Sequence, residues 1–231
     1  MYIQLREVIR DRCETGEYAP GTTIPSENAL AQTFGINRMT VRRSIDTLVS
    51  EGLLKRVQGK GVFVLGAKVE RDLDYLSGFT QTMLEKGGRP SSRVLLKNTR
   101  RAGDKYGTLF NIDLSAKLFH IKRLRLSDDE PFALEEVWIP KYLIPKIDGI
   151  DLSIFSLYEV YGFYHIHLTR ADQSIELATI RRSDAQTLGV PEGRSVLMFE
   201  STSYDDTDHA VEFARTYAKV DKCNFRVKFH R

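Results

Sequence analysis

Two places in this 231-residue chain set guanidinium groups close together: Arg38 and Arg42, with Thr40 between them in INRMTVRRS, and Arg123 with Arg125 in IKRLRLS. Paired guanidinium groups hold phosphate or carboxylate through two parallel hydrogen bonds, so both places read as anion recognition rather than bond-making. On a strand, Arg123 and Arg125 project to one face while Leu124 and Leu126 project to the other, which lets two cations converge on one anion. The same alternation also suits a half-exposed sheet with a solvated outer face. Glu135 shares a strand face with Ala133 and Val137, an apolar setting that suggests partial burial near a ligand hydroxyl or amine, while Glu136 points the other way to surface duty. Without an anion, the two arginines are expected to repel and hold water. Nothing in the chain resembles a catalytic set. There is no Ser-His-Asp order, no pair of catalytic carboxylates and no phosphate-cradling glycine loop, since Gly59-Lys60-Gly61 is too short and sits on a hairpin. His165 and His167 place two imidazoles on one face of an expected strand, but no third ligand is spaced to join them, so neither a metal nor another cofactor is expected.

The elements that must position the first arginines lie in residues 34–64. Taking Val41 as reference at about 100° per residue, Ile45, Leu48 and Val49 fall on the same side, leaving Met39, Arg42, Arg43 and Asp46 outward. Asn37 is a good N-cap and Gly52 a good stop, so a helix is expected over 38–51. Its exposed first turn carries Arg38, Thr40 and Arg42, and cations there oppose the helix dipole, which points to an anionic partner. Upstream, Leu5, Val8, Ile9, Arg12 and Cys13 recur at helical spacing over residues 1–15. Ser26 opens a short helix in which Leu30, Ala31 and Phe34 turn inward, and Gly35 provides the turn. Two short helices joined by a glycine turn, the second basic, form a helix-turn-helix pattern, with a helical bundle as the alternative. The β-prone runs 53–57 and 62–64 then flank Gln58-Gly59-Lys60-Gly61, whose glycines permit positive φ and leave a slim cationic tip. Such a tip fits a minor groove, though an ordinary surface hairpin shares the pattern.

At 231 residues, two domains are expected. A net charge of +3 and a pI near 8.8 require any nucleic-acid affinity to come from a local patch. Arg38, Arg42, Arg43, Lys55, Arg56 and Lys60 supply one, against Asp46 and Glu51. Cys13 and Cys223 lie far apart without ligand spacing, which fits a reducing compartment. With no leading apolar segment and no apolar run of about 18 residues, neither export nor membrane insertion is expected, and the chain reads as cytoplasmic.

Residues 3–65, through IPSEN, FGINRMTVRRSIDTLVSEGLL and QGKGVFV, resemble the DNA-binding domain of GntR-type bacterial transcription regulators. The resemblance implies operator contacts from Arg38, Thr40 and Arg42 and a minor-groove wing at Gly59 and Lys60. Asn28 departs from the arginine often found at its position. We place a linker at 66–72 and a second domain at 73–231. Its expected strands are 93–98, 117–127, 132–139, 166–178, 196–204, 210–220 and 225–230, and its expected helices 79–86, 104–110, 153–161 and 182–188, the last opened by Ser183 or the residue before it. Lack of β-α-β alternation implies an α+β domain around a mainly antiparallel sheet.

This second half is similar to the effector domain of the HutC branch, called UTRA, through LSGFTQTMLEKGGRPSS, IKRLRLSDDEPFALEEVWIP and VEFARTYAKVDK. The resemblance implies a chorismate-lyase-like fold, a phosphate site at Thr80, Arg123 and Arg125, and a cavity completed by Glu135, Ser156 and Tyr158. Relatives commonly carry a cavity-lining tyrosine where this chain has Ala218, and Tyr217 would face the other way. The implied function is a ligand-responsive homodimeric repressor binding double-stranded, palindromic operator DNA under control of a small anionic metabolite such as a sugar phosphate. An enzyme acting on a small anion in the second half is the other class considered, and the reading head argues against it. Ordering the segment around Thr80, directly after the linker, would reposition residues 1–65.

Overall fold

In the computed structural model, residues 1–66 and 87–222 are described. Their elements, in chain order, are α1 (Tyr2–Glu14), α2 (Glu27–Phe34), α3 (Arg38–Ser50), β1 (Leu54–Val57), β2 (Gly61–Val64), β3 (Pro90–Arg101), α4 (Gly103–Phe110), β4 (Lys117–Ser127), β5 (Glu130–Pro140), α5 (Leu157–Phe163), β6 (Leu168–Thr179), α6 (Arg182–Leu188), β7 (Ser195–Asp205) and β8 (Ala210–Ala218), with short 3-10 turns at Ile147–Gly149 and Val220–Lys222. Thr80, Cys223, the expected helix 79–86, the expected strand 225–230 and nearly all of the expected linker lie outside the described residues.

The chain divides into two units. The first gathers residues 1–66 with Gly149–Asp151 and Phe155–Ile166. Three helices and a hairpin close on one apolar core formed by Leu5, Ile9, Leu30, Val41, Ile45, Leu48, Leu54 and Val64, with Ala31, Phe34 and Val49 packed against it. Each boundary has a chemical cause. The Ser26 hydroxyl accepts the Ala29 N–H (3.2 Å), and Gly35 ends α2 in the left-handed region at φ 62°. Asn37 Oδ1 then accepts the Thr40 N–H (2.8 Å) to open α3, and Gly52 (φ 77°) follows its end. In α1 the inward residues are Leu5, Ile9 and Cys13; Val8, expected among them, is 36% exposed because the buried stripe, one residue in every four, is only one side chain wide. β1 and β2 pair antiparallel from Leu54↔Val64 to Val57↔Gly61. The other end of this unit carries α5, which starts at residue 157 rather than the expected 153. Its N-cap, Ser156, accepts the Glu159 N–H (3.1 Å), and the Glu159 carboxylate accepts the Ser156 N–H (2.7 Å), a reciprocal capping box.

The second unit is built on a six-stranded sheet in the order β3-β4-β5-β8-β7-β6, antiparallel at every pairing. One face carries both helices. Against it, Tyr106 and Phe110 of α4 pack on Leu118, Trp138 and Phe213, and Ala185 and Leu188 of α6 pack on Leu124, Leu126, Val196 and Tyr217. Glu136 lies on this face, so the expected surface role does not hold: its carboxylate and that of Asp184 both hold the half-buried Lys122 ammonium, at 2.8 and 2.7 Å. Burial lowers the Lys122 pKa, but the two carboxylates overcome it and hold it above the usual value. α6 opens at Arg181, without a side-chain cap, rather than at Ser183 or its predecessor. His165 sits in a turn at φ 55° and His167 precedes β6, so the two are not a strand-face pair. Among the described residues no group of three His, Cys, Asp or Glu side chains is placed to hold a metal, and no helix is long and apolar enough to cross a membrane.

Candidate nucleic-acid interface and anion clamp

In the first unit, the start of α3, the start of α2 and the hairpin enclose an open groove of about 570 Å³, which Arg38, Arg42, Gly59 and Lys60 all help to line. Thr40 faces a neighbouring hollow with Arg42 and Arg43. The five residues named from the sequence therefore collect on one side of this unit. Arg42 is exposed, and no ion pair engages it among the described residues. Gly59 turns at φ 74°, and a β-carbon added there would meet nothing within 4 Å. Its neighbour Lys60 is paired at 3.2 Å with Asp151, a partner the sequence did not suggest. Lys55 and Arg43 are used differently from the rest of the patch. The Lys55 amino group lies over the Phe155 ring (5.3 Å) and the Arg43 guanidinium over Tyr2 (4.3 Å).

Glu27 is the residue that sequence reasoning passed over in this groove. Its side chain is only 11% exposed, and its two oxygens are divided between two arginines: Oε2 accepts from Arg38 Nε (3.0 Å) and Oε1 from Arg56 Nη1 (2.8 Å). Arg56 also reaches Asp46 at 2.7 Å. The hydrogen bond from Arg56, with a further one from Arg38, outweighs burial and holds the Glu27 carboxyl below the usual carboxylate range. In sequence, an acid in the first turn of a helix is explained by the dipole alone.

The second unit brings together Arg123, Arg125 and Glu135, on the sheet face opposite the helices. Register makes the cluster: Arg123 on β4 lies directly across from Glu135 on β5, and Arg125 across from Ala133. Glu135 Oε2 accepts from Arg123 Nε (2.8 Å) and pairs with Nη2 (2.5 Å), while Oε1 accepts from Arg125 Nη2 (3.2 Å). Both arginines are buried, at 1% and 6% exposure, which removes the solvated-face alternative. The expected repulsion between empty cations is also corrected, because Glu135 stands between them and neutralises one charge. Burial pushes the Glu135 carboxyl up, but Arg123 and Arg125 overcome this and hold it below its ordinary value. Burial, helped by Arg123, pushes Arg125 down to about 10. The buried Glu212 also attracts Arg125, so the two arginines answer to two carboxylates, and Arg123 Nη1, fully buried, has no hydrogen-bond partner among the described residues. Such a group favours an anion or an acceptor as occupant.

Sequence reasoning missed Ser92, whose hydroxyl accepts from Arg125 Nη1 at 2.7 Å. β3 begins three residues before its expected start, and the register Ser92↔Arg125 follows from that extension. Ala218 is buried on the same face as Glu135, between Ala133 and Leu197, and Tyr217 packs on the helix-covered face, as its place in the alternation required. Ser156 and Tyr158 belong to the first unit. The Ser156 hydroxyl is engaged in the capping box, and the half-buried Tyr158 ring packs edge-on against Tyr161.

Comparison with known proteins adds the following. Residues 1–64 match the family described as bacterial regulatory proteins, gntR family, and residues 85–224 match the UTRA domain. The HTH-type transcriptional repressor NagR of Bacillus subtilis is 32% identical over 97% of this chain and 93% of its own length. The mannosyl-D-glycerate transport/metabolism system repressor MngR of Escherichia coli is 26% identical over 97% of this chain and 94% of its own. Among solved structures, PhnF from Mycobacterium smegmatis superposes with a TM-score of 0.65 over 97% of this chain and 98% of that one, at 23% identity, a likeness of fold.

Proposed function

The chain belongs to the gntR family of bacterial regulatory proteins and carries a UTRA domain, and from that premise we propose that it is a homodimeric repressor whose binding to a palindromic operator is modulated by a small anionic metabolite. It is a transcription regulator and not an enzyme, as its relatives are. In this reading residues 1–65 are the DNA-binding part, 66–72 the linker and 73–231 the effector-binding part. Arg38, Thr40 and Arg42 read base edges and phosphates in the major groove, and Gly59 with Lys60 enters the minor groove. Thr80, Arg123, Arg125 and Glu135 hold the effector.

The observation that carries the effector class is the buried Arg123–Glu135–Arg125 cluster, with Arg123 Nη1 unpartnered among the described residues. A phosphate would accept from both guanidinium groups, and Glu135 would accept from a sugar hydroxyl or amine on the same molecule. Sugar-related names among the relatives, including a fructoselysine utilization repressor and the mannosyl-D-glycerate repressor, agree with a sugar derivative. With the buried Ala218 where a cavity tyrosine is common, the ligand need not be an amino sugar phosphate. The test is a thermal-shift panel of sugar phosphates beside the matching neutral sugars. A true effector at 100 times its dissociation constant stabilises the native protein by about 2.7 kcal/mol. If neutral sugars shift the protein as much as their phosphates, the anion clamp is wrong.

A further inference from the structure

We propose that Glu27 is a positioning residue for operator recognition: by dividing its two oxygens between Arg38 and Arg56, it fixes the direction of both guanidinium groups across the groove and thereby sets sequence specificity. The inference rests on the reading of this groove as the DNA-binding surface. A carboxylate lining a surface meant for a polyanion lowers non-specific affinity, so its presence calls for a compensating role. Its geometry supplies one. Glu27 stands on the first turn of α2, a rigid helix whose entry is locked by the Ser26 cap, and is itself 11% exposed. From that fixed point it reaches α3 through Arg38 Nε and β1 through Arg56 Nη1, and thus ties together the three elements that line the groove.

The engaged atoms also matter. Arg38 gives up only Nε to Glu27, and its side chain remains 62% exposed, so its terminal nitrogens are left to donate to a base edge or phosphate. A long side chain loses several freely rotating torsions when it binds DNA, and a carboxylate that already holds Nε removes part of that entropy cost before DNA arrives. Arg56 is held through both terminal nitrogens, Nη1 by Glu27 and Nη2 by Asp46 of α3. Positioning of this kind is felt in specific binding, where direction counts, and not in non-specific binding, where only charge counts.

That difference gives the test. Operator-like duplexes are selected in vitro with the wild-type full-length protein, and affinities are measured for a selected and a scrambled duplex across a salt series, alongside thermal unfolding. Glu27→Asp is the main variant, because it keeps the charge and the helix-dipole interaction while shortening the reach by one methylene. We expect it to keep its affinity for scrambled duplex within two-fold and its unfolding midpoint near wild type, while affinity for the selected duplex falls at least ten-fold. Glu27→Ala should bind scrambled duplex more tightly and selected duplex more weakly. In an Arg38→Ala background, Glu27→Asp should cost much less than it does alone, since the two act as one unit. A parallel fall in both affinities with a lowered midpoint would make Glu27 merely structural. A parallel rise would make it a simple repulsive charge. Either result, or full additivity with Arg38→Ala, overturns the proposal. If the wild type selects no sequence at all, the operator reading itself falls and this inference with it.

Discussion

At the scale of single residues, the second unit is governed by a buried charge cluster in which removal of any member leaves something uncompensated. Arg123→Ala would leave the Glu135 carboxylate with Arg125 as its remaining arginine partner, and breaking a buried pair in this way costs about 3–5 kcal/mol. A loss of unfolding free energy of that size, measured by urea denaturation, is expected; a loss under about 1 kcal/mol would show that solvent reaches the cluster. The pH dependence follows from the depressed pKa of Glu135. The unfolded carboxyl titrates near about 4.3, and the folded one below it, so the folded state binds fewer protons in between. The stabilisation is therefore complete above the unfolded value and is lost as pH falls through the folded one. Urea midpoints measured from pH 7 down to pH 3 should drop in the acid part of that range. In Glu135→Gln the drop should be smaller, although not absent, because Glu27 and Asp205 are also held below their usual range. An unchanged acid slope in Glu135→Gln would show that the carboxylate is not charge-stabilised in the fold.

At the scale of elements, legibility followed the density of local signals. α3 and its neighbouring turn were readable because a cap, an apolar period and a glycine stop all agree within 16 residues, Asn37 to Gly52. β4 was readable because its residues are β-prone and arginine and leucine alternate from Arg123 to Leu126. α5 was not, since periodicity pulled its start to residue 153 while the decisive S-x-x-E signal at Ser156 and Glu159 went unused. Whether the arginine face of β4 is buried was also not legible. RLRL reads the same on a wet sheet as under a cavity, and only the long-range register that sets Glu135 opposite Arg123 decides it. The Glu27 bridge was hidden for the same reason, its partners lying 11 and 29 residues away. The capping box carries its own prediction. Ser156→Ala should destabilise by about 1 kcal/mol, whereas Ser156→Thr, which can form the same reciprocal bonds, should stay within about 0.5 kcal/mol of wild type. Both are read by urea denaturation; equal midpoints for the two variants would mean that the box does not hold α5.

At the scale of the whole molecule, one chain supplies one α3, and one recognition helix covers one half-site, so a palindromic operator requires a second copy with half-sites about 34–36 Å apart. The sheet offers a surface for that copy. Among the described residues β6 is an edge strand of 12 residues, and an exposed edge of that length is an invitation to association. Its residues Ile175 and Leu177 are 54% and 71% exposed, on the same face as their half-buried partners Phe199 and Leu197 on β7. These four side chains form an apolar patch at the β6 end of the sheet. The opposite edge, β3, exposes Leu95 and Leu96 less, at 41% and 40%, among Ser91, Arg93, Lys97, Thr99 and Arg101. Leu177→Glu therefore separates fold from assembly. An exposed leucine contributes little to the isolated chain, so its replacement should change stability by no more than about 0.5 kcal/mol. In a dimer it would bury a charge against Phe199 and Leu197, and sedimentation equilibrium should show monomer where the wild type shows dimer. Operator affinity should fall by about 10²–10⁴, the avidity lost when two linked reading heads become one. A variant that remains dimeric moves the interface elsewhere on the chain, and a wild type that sediments as a monomer removes the homodimer altogether.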